Sequence, residues 1–303
     1  MINTFVRREK KKPLKQLSDH KNKKMSTNFS NKVVVITGGG GVLCSTMATA
    51  LAKQGAKLAI LDLKEENAKK VADSINENGG TAIGIAANVL EADSLKKARE
   101  QVNARLGTCD ILINGAGGNH PKGTTSKNFL FNDDLSSTDE LKTFFDLDPE
   151  GIKFVFDLNF IGTLLPTQIF ARDMVGKEGA TIINISSMNA FRPLTKIPAY
   201  SAAKSAVSNF TQWLAVHFSK VGIRVNAMAP GFFLTDQNRA LLTTADGSLT
   251  ERGNTIIEHT PMGRFGTPDD LVGTLLWLCG DGATFVTGVV IPIDGGFSAF
   301  SGV

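Results

Sequence analysis

From Val33 onward, short apolar runs alternate with longer polar stretches whose apolar positions recur at helical spacing. The runs lie at 33–37, 57–61, 81–87, 110–113, 180–185, 224–228 and 289–293. They lack the in–out alternation of a strand with one wet face, so they predict strands buried on both sides. Helices are predicted between them at about 42–54, 64–78, 91–105 and 198–219, with further helices beginning near 148 and 268. Gly79-Gly80 stops the second, Asp148-Pro149 caps and opens the fourth, and Gly162 and Pro166 are expected to kink that helix. Strand–helix alternation of this kind predicts an α/β chain with a parallel sheet covered on both faces. Ligands of such sheets sit beyond the carboxyl ends of the strands. The glycines after Thr37, Asn114, Ser186-Ser187 and Pro230-Gly231 all fall there.

Composition narrows this to one domain and a tail. The chain of 303 residues is 42% hydrophobic and 20% charged, enough for a sizeable core, and no run approaches 18 apolar residues. Residues 1–24 carry nine Lys/Arg against Glu9 and Asp19, a local +7, so with +4 overall the remainder stands at −3. Three explanations compete for the tail: an arm for nucleic acid or anionic lipid, a targeting segment, or sequence ahead of an internal start at Met25. The expectation is the last of these, or a plain solvated tail, with no nucleic-acid or membrane partner. Residues 1–25 are set apart from a single domain over 26–303. Cys44, Cys109 and Cys279 form neither a C-x-x-C pair nor a disulfide framework, which suits a cytoplasmic protein, and no metal-ligand set is expected.

Candidate chemistry gathers at four places. Tyr200 is the only tyrosine, although Phe occurs 19 times, so its hydroxyl rather than its ring bulk is the feature. Lys204 follows one helical turn later, where its charge is expected to favour the phenolate. Gly38–Gly41 joins a strand to a helix, the setting in which glycines let backbone approach a pyrophosphate at a helix N-terminus. Asp62, 24 residues past Gly38 at the end of the second strand, can accept both hydroxyls of an adenosine ribose and repels a 2′-phosphate, which favours NAD(H). Asn88 and Val89, after the third strand, are placed to touch the adenine.

Taken in order, Thr37–Gly41, Asn114-Gly-Ala-Gly117, Asn159, Ser187, Tyr200-x-x-x-Lys204, Pro230-Gly231 and Asp294-Gly-Gly resemble the short-chain dehydrogenase/reductase family. The resemblance covers the chain from about residue 31. It implies a single doubly wound Rossmann-type domain with a seven-stranded parallel sheet, usually a homotetramer (otherwise a homodimer), and a catalytic tetrad of Asn159, Ser187, Tyr200 and Lys204. Ser187 would hold the substrate oxygen, Tyr200 would transfer the proton, Lys204 would bind the ribose and lower the phenol pKa, and Asn159 would anchor a water. Gly38, Gly41, Leu43, Asn114, Ala116, Gly117, Pro230, Gly231 and Thr235 would line the cofactor. Its branch acting on D-mannonate looks closest, through Gly117-Gly-Asn-His-Pro-Lys122, Phe145–Gly151 and Ser186–Pro193.

Two departures from the family pattern carry expectations. Val42 and Cys44 stand where the family's glycine loop has glycine, and Cys44 is expected to crowd the helix–strand packing. Asn114 and Asn159 are 45 residues apart, which leaves an extra segment at about 118–148 that is expected to act as a lid. Between Ser187 and Tyr200, Asn189 and Arg192 suit a polyhydroxylated carboxylate, with Arg192 pairing it in bidentate fashion and His120 facing it from the insertion. The expected substrate is therefore a sugar acid. Other sugar acids, polyols and a non-catalytic cofactor sensor are the competing readings.

Overall fold

The computed structural model describes residues 28–136, 140–235 and 238–302. The basic tail, and with it the question of an internal start, lies outside the described residues. Seven parallel strands form one sheet: β1 (Val33–Thr37), β2 (Lys57–Asp62), β3 (Thr81–Ala86), β4 (Ile111–Asn114), β5 (Thr181–Ile185), β6 (Arg224–Pro230) and β7 (Val290–Ile293). Their order is β3-β2-β1-β4-β5-β6-β7. The direction of winding reverses between β1 and β4, so the crevice opens where Thr37 pairs with Asn114.

Helices α1 (Val42–Lys53), α2 (Glu65–Glu77) and α3 (Ala92–Arg105) follow the first three strands. Beyond β4 come α4 (Pro149–Phe156), α5 (Gly162–Met174), α6 (Pro198–His217), α7 (Arg239–Leu242), α8 (Glu251–Glu258) and α9 (Val272–Cys279). The absence of alternation in the strands has the expected cause. Val34 and Ile36 enter a core with Met47, Leu51 and Leu275 on one face, while Val33 and Val35 enter another with Leu95, Phe170 and Leu214 on the opposite face. Both faces of β1 are dry, so Val33–Ile36 are all apolar.

The helical run Pro149–Met174 is long and apolar enough to cross a membrane by length and composition. Here it packs on the sheet, with Phe170 and Met174 fully buried. Its irregularity begins just ahead of Gly162. A π-helical turn at Asp157–Ile161 precedes that glycine, and Pro166 lies inside α5. The Asn159 amide donates to the Val155 carbonyl at 2.7 Å, and this side-chain bond accompanies the widened turn. Helices α7 and α8 have no counterpart in the sequence-based expectation, since each is too short to show a period.

The segment at 118–148 is built from short 3-10 turns at Pro121–Gly123, Asn132–Leu135 and Phe144–Asp146. It is tied to the chain ahead of α6 by Thr125 N–H to the Lys196 carbonyl (3.0 Å) and by Thr195 to Asn128 (2.9 Å). It therefore flanks the stretch between Ser187 and Tyr200.

Candidate active site

The glycine turn after β1 is organised by its neighbours. Gly38 has φ +63°, and a Cβ there would stand 2.9 Å from the Ala116 backbone. Thr37 Oγ1 accepts the Gly115 N–H at 3.1 Å, which holds the turns after β1 and β4 together. Gly41 is the N-cap of α1, so the first-turn amides, Leu43 included, face the crevice without intrahelical acceptors. Asp62 ends β2, and its carboxylate accepts the Gly40 and Lys64 N–H groups, each at 3.1 Å. A carboxylate beside the glycine turn and free amides at a helix N-terminus fit an adenosine ribose and a pyrophosphate.

The Cys44 departure is accommodated from the opposite side. Its buried Sγ lies where a Cβ on Gly115 would be, 2.3 Å from that position. Glycine at 115 supplies the space that cysteine at 44 consumes, so the predicted crowding is relieved. Burial pushes the Cys44 thiol up to about 12, so it is protonated and inert.

Four other residues expected at the cofactor have bonds or contacts within the chain. The buried Asn114 amide donates to Thr167 (2.9 Å) and Asn184 (2.8 Å), so its side chain braces β4, β5 and α5. Asn88 bonds Glu91 in the turn after β3, and buried Val89 packs at Gly162. Thr235 donates its N–H to Asn238 at 2.8 Å, on the stretch that follows Pro230 and Gly231 past β6.

The tetrad converges. Ser186 bonds Ser208 (2.7 Å) and the Lys204 carbonyl (3.1 Å), and this leaves Ser187 to face the cavity. Ser187 hydrogen-bonds Tyr200, and both line a cavity of about 280 Å³. Lys204 Nζ donates to the Ile185 carbonyl at 2.7 Å and lies 5.7 Å from the centre of the Tyr200 ring. Asn159 holds Gly118 from both sides, through Nδ2 to its carbonyl (2.7 Å) and Oδ1 from its N–H (3.2 Å). A Cβ on Gly117 would come within 2.7 Å of Asn159 and 3.0 Å of Lys204, so these two groups face one small space.

The electrostatics depart from expectation. Burial raises the Tyr200 pKa above its ordinary value, and the bond with Ser187 only partly opposes this. Burial outweighs the pull of the Lys204 ammonium, which lies 5.7 Å from the ring centre. Burial also lowers Lys204 itself from 10.5 to about 8.

The short-chain dehydrogenase family model matches residues 32–246. The chain belongs to the short-chain dehydrogenase family. This dehydrogenase is 60% identical over 277 residues to an uncharacterized oxidoreductase of Haemophilus influenzae, spanning 91% of this chain and 96% of that one. It is 50% identical to the uncharacterized oxidoreductase UxuB of Bacillus subtilis, spanning 91% and 98%. A solved structure from Haemophilus influenza with bound NAD, provisionally assigned as a D-mannonate oxidoreductase, superposes with TM-score 0.87 at 59% identity, covering 91% of this chain and 98% of that one.

Two of the three expected substrate residues of this dehydrogenase lie elsewhere. Arg192 does not line the cavity; it is exposed and donates to the Phe300 carbonyl at 2.9 Å. His120 is also absent from the lining; its Nδ1 accepts the Lys122 N–H at 3.2 Å and its ring packs on Phe154. Asn189 does line the cavity. Sequence reasoning missed Asn119 and Arg252 in the lining. Asn119 adjoins the expected His120, but Arg252 carries no local motif.

Proposed function

We propose that this dehydrogenase uses NAD(H) to interconvert a keto sugar acid and its hydroxy acid, namely D-fructuronate and D-mannonate. The observation that carries this reading is the cavity beside Tyr200. It is lined by the amides of Asn119, Asn189 and Asn238, by Ser187, and by Arg252 as the one charged side chain among the described lining residues. The likeness to the NAD-bound relative supports both the cofactor and the substrate. Asp62 supports NAD over its 2′-phosphorylated counterpart.

Bound nicotinamide supplies the hydride. The Ser187 hydroxyl holds the substrate carbonyl oxygen, and Tyr200 donates its proton to that oxygen as charge develops. A phenol whose pKa is raised by burial remains protonated at neutral pH, the state that reduction requires. Lys204 offers donors to the ribose hydroxyls, and Asn159 fixes the backbone at Gly118 beside them.

The three free, buried cysteines suit a reducing cytoplasm. Trp213 and Val216 of α6 are 55% and 77% exposed, an apolar strip that suits a homodimer or homotetramer.

The test is a substrate panel of sugar acids and polyols followed by NADH absorbance, with Tyr200→Phe alongside. Turnover of D-fructuronate is expected, with a loss of about 10²–10⁴-fold in kcat for Tyr200→Phe and unchanged NADH binding. Activity confined to neutral polyols, or a Tyr200→Phe variant that keeps its kcat, refutes the proposal.

A further inference from the structure

We propose that Arg252 recognises the carboxylate of the substrate. This rests on the sugar-acid reading above and assigns the residue responsible for it. Among the described residues that line the cavity there is no acid, and Arg252 is the only cation. Its guanidinium has no hydrogen bond or ion pair with any described residue. Three other arginines are committed: Arg264 to Asp270 through two bonds of 2.7 and 2.9 Å, Arg99 to Asp173, and Arg192 to the Phe300 carbonyl. An exposed guanidinium with no partner among the described residues, at the edge of a cavity whose described lining holds no acid, attracts an anion and presents a planar fork that matches a carboxylate.

The chain fixes this placement. Arg252 lies in the first turn of α8, whose N-cap Thr250 accepts the Gly253 N–H at 3.0 Å and donates from its hydroxyl to the Leu241 carbonyl at 2.9 Å. Gly253 rests directly on the end of α7; a Cβ there would stand 2.3 Å from the Leu242 carbonyl oxygen. Leu241 and Leu242 themselves line the cavity. The glycine contact and the Thr250 latch therefore hold Arg252 at the rim. On the inner wall, Asn189 is buried and its Oδ1 has no partner, leaving an acceptor for a substrate hydroxyl. The other two amides are engaged: Asn119 with Thr124, and Asn238 with Thr235 and Phe233. The arrangement suits a chain bearing a carboxylate at one end and hydroxyls toward Ser187.

The experiment uses the full-length enzyme with Arg252→Met, Arg252→Lys and, as a control outside the cavity, Arg192→Ala. Steady-state kinetics with D-fructuronate are paired with calorimetric titration of D-mannonate into the enzyme–NAD complex, and D-mannitol is titrated as the neutral counterpart. Arg252→Met should raise KM and Kd for the acids about 10- to 100-fold, the scale of one charge-assisted contact, with little change in kcat, NADH affinity or Tm. Arg252→Lys should recover part of the loss, and Arg192→Ala should match the parent enzyme. D-mannitol binding should be indifferent to all three substitutions. Sugar-acid constants unmoved by Arg252→Met, or an equal loss for D-mannitol, overturn the assignment while leaving the sugar-acid reading intact. A parent enzyme that neither turns over nor binds any sugar acid overturns both.

Discussion

Lys204 is stored in the fold at a cost, and removing its charge should stabilise the protein while disabling it. The side chain is 3% exposed, and its one hydrogen bond among the described residues is to the Ile185 carbonyl. Burial lowers its pKa from 10.5 to about 8. At about 1.4 kcal/mol per tenfold change in proton affinity, holding the charged form inside costs about 3 kcal/mol at pH 7. Lys204→Met keeps the length of the side chain and removes this cost. The lost Ile185 bond returns about 1 kcal/mol, for a net gain of about 2 kcal/mol. In a domain of this size that raises Tm by about 4–8 °C. The sign with pH follows from proton counts. Below pH 8 both folded and unfolded chains carry the proton, so the penalty is constant. Between pH 8 and 10.5 only the unfolded chain carries it, so parent stability rises with pH and the penalty fades. The assay is thermal unfolding of cofactor-free parent and variant from pH 6.5 to 9.5. The variant should lead by several degrees at pH 7, and the gap should close toward pH 9.5. A parent more stable than Lys204→Met at pH 7, or a gap indifferent to pH, refutes the reasoning.

Gly115→Ala should destabilise the protein by about 1–3 kcal/mol, because the new methyl meets Cys44 Sγ at 2.3 Å and the Thr37 carbonyl oxygen at 2.8 Å. Adding Cys44→Gly should restore only part of the loss, since the carbonyl remains; urea denaturation of the double-mutant cycle reads the coupling, and strict additivity of the two changes counts against it. Asp62→Ala should weaken NADH binding about tenfold and improve NADPH binding, read by fluorescence titration, because the ribose loses its acceptor and a 2′-phosphate loses its repulsion. An unchanged preference between the two cofactors argues that Asp62 only caps the glycine turn through Gly40.

What was legible in the sequence is what short-range chemistry dictates. The seven strands read as apolar runs without alternation because both faces of the sheet are covered, and the placement of candidate residues at their carboxyl ends followed from the topology. The family resemblance singled out Ser187 over Ser186, and the fold gives a reason: Ser186 is spent on Ser208 and the Lys204 carbonyl. The misses share one cause, in that each depends on which surfaces meet. One helical turn between Tyr200 and Lys204 brings the ammonium to the ring, but depth of burial, which no spacing reports, decides the direction of the phenol's shift. The crowding feared at Cys44 depended on Gly115, 71 positions away and adjacent only once β1 and β4 pair.

Arg192 and Arg252 set the limit most sharply. Arg192 follows Ser187 by five residues, so proximity along the chain recommended it, yet its side chain reaches the C-terminal segment at Phe300. Arg252 follows by sixty-five and sits on a helix too short to show a period, yet it lines the cavity. The signal that could have found it is its neighbour. Gly253 lies inside a helix, where glycine costs about 1 kcal/mol relative to alanine, and a glycine kept at that cost marks a close approach of backbone to backbone. Here the approach is to the Leu242 carbonyl, and it is what carries the guanidinium to the rim.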